Sequence, residues 1–167
     1  MLYEGALDAQ LAFIKSGLAK PKDYCAIFIF SEKTAICVVR GGFVSAVSDI
    51  RAGYGIMIEK TASAFGVGFE EGKNLLSKFR NGQLDQSAFE AIKTVLEEVV
   101  ADITDKIRAA LFVVDRDNLI PGNVFVITAE NFPELEKTLA GTQWLDGLPI
   151  DRNVSVKIES FNLLELL

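Results

Sequence analysis

A short polar break between two apolar runs contains the residue types that could bind a phosphate. Ser31, Lys33 and Thr34 lie where the run from Tyr24 to Phe30 gives way to the run from Thr34 to Val39. Hydroxyl groups, an ammonium group and the backbone N–H groups of a turn are all donors to phosphate oxygens. The same pattern is typical of an ordinary solvated hairpin turn, which is the interpretation we favour.

The other polar candidates do not suggest a catalytic or metal site. The chain has no histidine and therefore lacks the commonest general base and metal ligand. Asp115 and Asp117 resemble part of a calcium loop, but the glycine and terminal glutamate of an EF-hand are missing, which favours a solvated loop. Cys25 and Cys37 fit no metal motif and are expected in the core. We predict no catalytic residue, no metal and no cofactor, and the sequence favours a protein that is not an enzyme.

Three consecutive strands must position the polar break. The runs from Tyr24 to Phe30, from Thr34 to Val39 and from Phe43 to Ile50 predict an antiparallel meander. The first run is apolar at every position, so we expect a central strand that is covered on both faces. The meander leads through Gly53 into a helix predicted from Ile56 to Phe65.

A long helix is predicted in the middle of the chain, after a shorter one from Phe69 to Phe79. Ser87 and Glu90 form a capping box at its start. Six apolar residues recur at helical spacing and form a stripe along one face of this helix: Phe89, Ile92, Leu96, Val99, Ile103 and Ile107. The stretch from Leu111 to Val114 is either a strand or the frayed end of this helix.

The last part of the chain returns to alternating strands and helices. Val124 to Thr128 predicts a strand, and Asn131 reads as the N-cap of a helix that ends at Gly141. Val154 to Ile158 alternates apolar and polar residues, as a half-exposed edge strand does. The order predicts one α/β domain over residues 1–167, with an N-terminal helix in 1–20 and an apolar tail over 160–167.

Several turns in this order match a known pattern. Thr34 falls on the threonine of a D-I-G-x-x-x-T hairpin, Gly42 on its following turn, and Gly53 on the glycine that leads into a helix. The stretch from Ala64 to Gly72 is similar to L-G-[IV]-S-x-E-E-A, and Thr128, Pro133 and Leu135 match I-x-L-T-G-G-G-A-x-x-P-G-L. The chain therefore resembles the second domain of actin-like ATPases, of the PilM and FtsA type found in bacterial pilus assembly and cell division.

The resemblance implies a fold and a nucleotide site. The fold is a three-layer, ribonuclease-H-like α/β domain, whose mixed sheet opens with a three-strand antiparallel meander and has helices on both faces. The nucleotide-binding positions that it implies are Ser31, Lys33, Thr34, Gly53 and Thr128.

The residues of this chain depart from the family at that site. Phe28 and Phe30 replace the hairpin aspartate and glycine, and the Cβ of Phe30 blocks the approach of a phosphate to the backbone. The stretch from Ala129 to Asn131 replaces a glycine run and places Glu130 where an anion would bind. Two like charges about 4 Å apart repel by ~1 kcal/mol in water. We predict a degenerate nucleotide site.

The resemblance then implies a non-catalytic scaffold or adaptor that binds partner proteins in type IV pilus assembly, secretion or cell division. The partners include membrane-associated assembly components, and a homo-oligomer is compatible with this role. The alternative is half of an actin-like ATPase that binds ATP only with a complementary domain. A small-molecule-binding domain on the same core is a third option.

Charge and hydropathy restrict partners and location. The net charge of −6 argues against nucleic acid, and no apolar run is long enough to span a membrane. We expect a cytoplasmic protein that reaches the inner face of the membrane only through partners. Candidate contact residues are Trp144, which could equally be a plug over the end of the sheet, and Phe161, Leu163 and Leu164 of the tail.

Overall fold

The structure, a computed structural model, describes residues 21–128, 132–151 and 153–160. The helix predicted in 1–20 and the tail from residue 161 lie outside the described residues. In chain order the elements are β1 Tyr24–Ile29, β2 Thr34–Arg40, β3 Phe43–Ile50, α1 Gly55–Phe65, α2 Phe69–Arg80, α3 Gln86–Val114, β4 Asn123–Thr128, α4 Pro133–Ala140, a 3₁₀ turn Gln143–Leu145, and β5 Ser155–Ser160.

The five strands form one mixed sheet in the order β3-β2-β1-β4-β5. The first three strands pair antiparallel, as the meander prediction requires, while β4 pairs parallel with both β1 and β5. All six residues of β1 are buried, because its two alternating sets of side chains are both apolar. The predictions of a mixed α/β sheet and of a central first strand are confirmed.

The two faces of the sheet belong to two separate apolar clusters. One face meets the described helices, which contribute buried residues such as Met57, Leu76, Ile103 and Leu135 to the same cluster. The opposite face is also buried, and no described helix contributes to its cluster, which consists of Tyr24, Ala26, Phe28, Ala35, Cys37, Val39, Phe125 and Ile127. Within the described residues the helices therefore lie on one face, whereas the resemblance predicted them on both.

The long helix α3 begins and ends differently from its prediction. Its N-cap is Asp85, whose carboxylate accepts a hydrogen bond from the Ala88 N–H at 2.9 Å, so the predicted capping box at Ser87 is wrong. A carboxylate is favoured there because it faces the positive end of the helix dipole. The helix runs for 29 residues to Val114, so the stretch from Leu111 to Val114 is its last turn and not a strand. The apolar stripe is confirmed from Ile92 to Ile107, with its buried residues facing the core.

The last elements match their predictions to within two residues. The strand predicted from Val154 to Ile158 is β5, shifted to Ser155–Ser160, and its side chains from Ser155 to Ile158 alternate between exposed and half-buried as expected. Asn131, the predicted N-cap of α4, lies outside the described residues, and the residue before this helix is Phe132. None of the helices in the described part of the chain is both long enough and apolar enough to cross a membrane.

Candidate functional site

The predicted nucleotide-binding residues gather at one end of the sheet. In the pairing register, Ile29 lies between Thr34 on β2 and Thr128 on β4. The two threonines are thus two strand spacings apart, or about 10 Å. This row stands at the carboxyl ends of the parallel strands β1 and β4, which is where open α/β sheets bind their ligands. The register therefore brings these two predicted residues to one end of the sheet, where their local contacts decide what they can bind.

The β1–β2 turn is covered by the backbone that follows β3. The N–H of Tyr54 donates to the carbonyl of Phe30 at 3.0 Å, and the N–H of Gly55 donates to the carbonyl of Ser31 at 2.8 Å. A Cβ on Gly53 would lie 2.2 Å from the Phe30 oxygen, so only glycine fits this approach. Gly53 is therefore required for packing of the loop against the hairpin.

The two threonine hydroxyls are used inside the protein. Thr34 is fully buried, and its Oγ1 donates to the carbonyl of Ala52 at 2.6 Å. The Oγ1 of Thr128, which is 1% exposed, donates to Oε1 of Glu136 at 3.1 Å. The same carboxylate oxygen accepts the N–H of Phe132 at 3.3 Å. Neither hydroxyl is directed to a ligand, and Glu136 adds a negative charge where an anion would have to bind.

Lys33 and Ser31, the other predicted donors, also have neighbours within the domain. The Nζ of Lys33 lies 4.0 Å from a carboxylate oxygen of Asp49 and 5.9 Å from the centre of the Phe30 ring. The Ser31 hydroxyl lies against the loop, 2.8 Å from the position that a Cβ on Gly55 would take. The polar turn is therefore packed against the loop after β3, whereas the favoured interpretation was an ordinary solvated hairpin turn.

An aromatic stack fills the space next to this turn. The rings of Tyr54 and Phe132 stack with their centres 4.5 Å apart, and the Arg80 guanidinium lies 4.7 Å from the centre of the Phe132 ring. Arg80 is held there by two hydrogen bonds to Glu134, of 3.1 and 2.9 Å. Phe132 is 2% exposed and Tyr54 is 8% exposed. The stack therefore adds buried aromatic surface beside the β1–β2 turn, and the guanidinium within it is already paired with the Glu134 carboxylate.

Sequence reasoning missed the aromatic stack and the carboxylate of Glu136. Tyr54 stands between two glycines, which is a signal that an aromatic side chain is placed by a tight backbone approach. Phe132 and Glu136 had no comparable signal, because their partners come from distant elements or from the next helical turn. Glu130, which the sequence placed at this point, lies outside the described residues together with Ala129.

Metal-binding clusters and reactive thiols are the two features to look for among the described residues. No group of three or more Asp, Glu, Cys or His residues that could hold a metal occurs within residues 21–128, 132–151 and 153–160. Burial raises the pKa of the Cys25 thiol to about 12 and that of the Cys37 thiol to about 11, so both thiols stay protonated and unreactive near neutral pH.

Trp144, a candidate contact residue, is largely buried within the domain. It is 7% exposed, and its indole N–H donates to the carbonyl of Leu139 at 2.9 Å. Its own carbonyl accepts a hydrogen bond from Arg108. The side chain therefore packs within the domain, next to the end of α4. Phe161, Leu163 and Leu164 lie outside the described residues.

Exposed apolar side chains concentrate at the end of the sheet opposite the aromatic stack. We call this set the apolar end, and it consists of Phe43, Val44, Phe112, Val113 and Leu119, exposed by 80%, 43%, 60%, 45% and 55%. They come from the start of β3 and from the last turn of α3 with the loop that follows. Arg40 ties these segments together through hydrogen bonds to Asp115 and to the carbonyl of Leu119.

Comparison with known proteins identifies the fold. No protein-family model matches the sequence, and no curated protein matches it either. Among solved structures, a chain of the PilM–PilN type IV pilus biogenesis complex superposes with a TM-score of 0.63 at 18% identity, over 96% of this chain and 42% of that one. The ethanolamine utilization protein EutJ from Carboxydothermus hydrogenoformans gives 0.51 at 18% identity, over 93% of this chain and 49% of that one.

This chain therefore spans less than half of the length of each of these two chains. The matches cover nearly all of the chain and include its mixed sheet, so the resemblance inferred from the turns is confirmed at the level of the fold. The chain has the fold of an actin-like ATPase-type domain, a ribonuclease-H-like α/β fold.

Proposed function

We propose that this domain is a non-catalytic adaptor that binds partner proteins and has lost the nucleotide site of its fold. The observation that carries the proposal is the packed β1–β2 turn, which the loop after β3 covers through hydrogen bonds from Tyr54 and Gly55, with Tyr54 itself stacked on Phe132.

The cost of opening this end supports the proposal. A nucleotide would have to separate the loop from the hairpin, which breaks the hydrogen bonds from Tyr54 to Phe30 and from Gly55 to Ser31. Each such bond contributes about 0.5–1.5 kcal/mol, and an aromatic pair adds about as much beyond its buried area. Glu136 would then face the phosphate, and like charges 4 Å apart repel by about 4 kcal/mol near a protein surface.

The apolar end supports a protein as the partner. Its five large apolar side chains are exposed at one end of the domain, and clustered exposed apolar surface marks interaction sites. PilM, to which the chain is similar in fold, was solved as a complex with PilN. We place the adaptor in type IV pilus assembly, secretion or cell division, in the bacterial cytoplasm, where partners bring it to the inner face of the membrane.

The test is thermal unfolding with and without millimolar Mg-ATP or Mg-ADP, with Mg²⁺ and inorganic phosphate as the ionic control. We expect the same Tm in all solutions. A ligand present at about 100 times its Kd would add ~2.7 kcal/mol, which corresponds to a shift of roughly 5–11 °C for a domain of this size. A nucleotide-specific shift of that order would contradict the loss of the site.

The coverage of the two neighbours favours a second candidate, half of an actin-like ATPase. More than half of each neighbouring chain has no counterpart here, which leaves room for a complementary domain. Adding such a domain as a separate chain should then create a nucleotide-dependent shift in Tm that this chain alone lacks. If the mixture of the two chains shows no nucleotide-dependent shift in Tm, the adaptor is the better-supported function.

A further inference from the structure

The face of the sheet opposite the described helices is buried, although none of those helices covers it. We call it the second face, and its eight buried residues, each at most 4% exposed, are Tyr24, Ala26, Phe28, Ala35, Cys37, Val39, Phe125 and Ile127. Neighbouring side chains on a sheet shield one another only from the side, so the tips of large residues such as Phe28 and Phe125 are buried only under a further layer. No helix among residues 21–128, 132–151 and 153–160 belongs to this cluster. The layer therefore comes from elsewhere.

The buried strip on the second face is about as wide as one helix. Its residues lie on β2, β1 and β4, three neighbouring strands of which the outer two are about 10 Å apart. Exposure rises on both flanks of this strip. Val47 of β3 is only half-buried, and Lys157 of β5 is exposed, with its Nζ 5.7 Å from the centre of the Phe125 ring. A helix with its side chains is about 10–12 Å in diameter, so one helix along the central strands accounts for this pattern.

The length of the missing layer selects one segment of the chain. Strands β1 and β4 have six residues each, or about 20 Å, and a helix of about 13 residues covers that length. The segments outside the described residues are 1–20, 129–131, 152 and 161–167. Of these, 1–20 has the length of such a helix, whereas the tail 161–167 is about half as long as the strip requires.

Segment 1–20 also joins the sheet at the middle of the buried strip, because it leads directly into β1. Asp23, the residue before β1, is fixed at this point by two hydrogen bonds. Its carboxylate accepts the N–H of Gly41 at 2.6 Å, and its carbonyl accepts the side-chain amide of Asn123 at 3.2 Å. Pro21 disfavours helical backbone in the residue before it, so a helix that ends there can turn back over the central strand.

We infer that residues 1–20 dock on the second face as one amphipathic helix, which buries its apolar stripe against β2, β1 and β4. The stripe consists of Leu7, Leu11 and Ile14, at the spacing of one helical face. Ala9 lies on the opposite side of this helix, so that side carries no large apolar residue at its middle. The segment supplies the second helical layer, and the sheet is then covered on both faces.

The two cysteines of the chain report separately on the two faces. Cys37 belongs to the second face, whereas Cys25 belongs to the cluster shared with the described helices. Labelling the native full chain with N-ethylmaleimide measures the access to each thiol, and trypsin cleavage after Lys33 separates the two for mass spectrometry. Both thiols are buried in the wild type and should react slowly. The variant Leu11→Ala should speed the labelling of Cys37 at least tenfold relative to Cys25, because lifting the segment breaks none of the strand pairings of the described sheet.

The matched control makes the same substitution in the tail. Leu164→Ala should leave both labelling rates at their wild-type values, and so should Ala9→Asp on the opposite side of the predicted helix. The fluorescence of the buried Trp144, which belongs to the cluster shared with the helices, confirms that each variant is folded. Leu7→Ala should act like Leu11→Ala and takes its place if that variant does not fold.

Two results would overturn the inference. The first is a Cys37 that stays as protected in both leucine variants as in the wild type, or that gains access only together with Cys25, since the segment would then not be a separate cover of this face. The second is faster labelling of Cys37 in Leu164→Ala alone, which would assign the cover to the tail.

Discussion

Replacing Gly53 by alanine tests the packing that closes the candidate site. The new Cβ would lie 2.2 Å from the Phe30 oxygen and 2.4 Å from the Ser31 oxygen, both backbone atoms that cannot rotate away. Gly53 is not among the glycines with positive φ, so alanine can adopt its backbone conformation. The expected effect is therefore steric, and the loop must move away from the hairpin.

The size of the effect follows from what that movement breaks. Overpacking a tight site costs about 1–3 kcal/mol. The displaced loop also weakens the hydrogen bonds from Tyr54 to Phe30 and from Thr34 to Ala52, worth about 0.5–1.5 kcal/mol each. Alanine recovers about 0.4–1 kcal/mol because it restricts the unfolded chain. We expect a net loss of about 2–4 kcal/mol in the free energy of unfolding, or roughly 4–16 °C in Tm.

Urea unfolding followed by the fluorescence of the buried Trp144 measures this loss. The midpoint should fall while the m-value stays constant, as for a change in stability alone. Gly141→Ala is the matched control, because its Cβ would meet only the Thr138 carbonyl at 3.8 Å, and we expect a change within about 0.5 kcal/mol. If Gly53→Ala were as stable as this control, the close contact between loop and hairpin would be refuted.

Two further predictions concern the aromatic stack and the thiols. Phe132→Ala removes the ring that contacts Tyr54 and Arg80 and should lower the free energy of unfolding in urea by about 3–5 kcal/mol. The control Phe112→Ala, at a 60% exposed position, should lower it by less than about 1 kcal/mol. Equal losses in the two variants would contradict the stack. Burial raises the pKa values of Cys25 and Cys37 in the folded protein to about 12 and about 11, above the ~8.5 of an unfolded cysteine. The free energy of unfolding should therefore be unaffected below pH ~8.5 and should fall as the pH rises toward those values, by up to ~1.4 kcal/mol per pH unit for each thiol. If a variant with both cysteines replaced by alanine showed the same alkaline slope, other groups would be its cause.

The secondary structure could be predicted from the sequence wherever a local pattern was compatible with only one element. The run from Tyr24 to Ile29 is apolar throughout, and no other element could bury it except the centre of a sheet. The start of α3 was misread because Asp85 and Ser87 are both good caps two residues apart. The choice between them depends on where the chain enters the helix, and this is set by the packing of α3 on the sheet.

The residues of the candidate site were named in advance, but their hydrogen-bond partners were not. Thr34, Gly53 and Thr128 were implied by the family resemblance, and the pairing register brings the two threonines to one row. Their hydrogen-bond partners, Ala52 and Glu136, could not be read from the sequence because many polar groups could have served. Trp144 shows the same limit, since only the fold reveals that its indole is buried against Leu139.

The sequence by itself determined the order of strands and helices and the central position of β1, since both depend on residue type and short-range spacing. The tertiary structure alone decided what fills the carboxyl end of the sheet. Tyr54, Phe132 and Arg80 come from three separate segments, and they meet only because β1 and β4 are neighbours and the loop after β3 folds back onto the first hairpin. Contacts between distant segments carry no local signal, so whether this end binds a ligand or is closed by its own side chains is decided by packing.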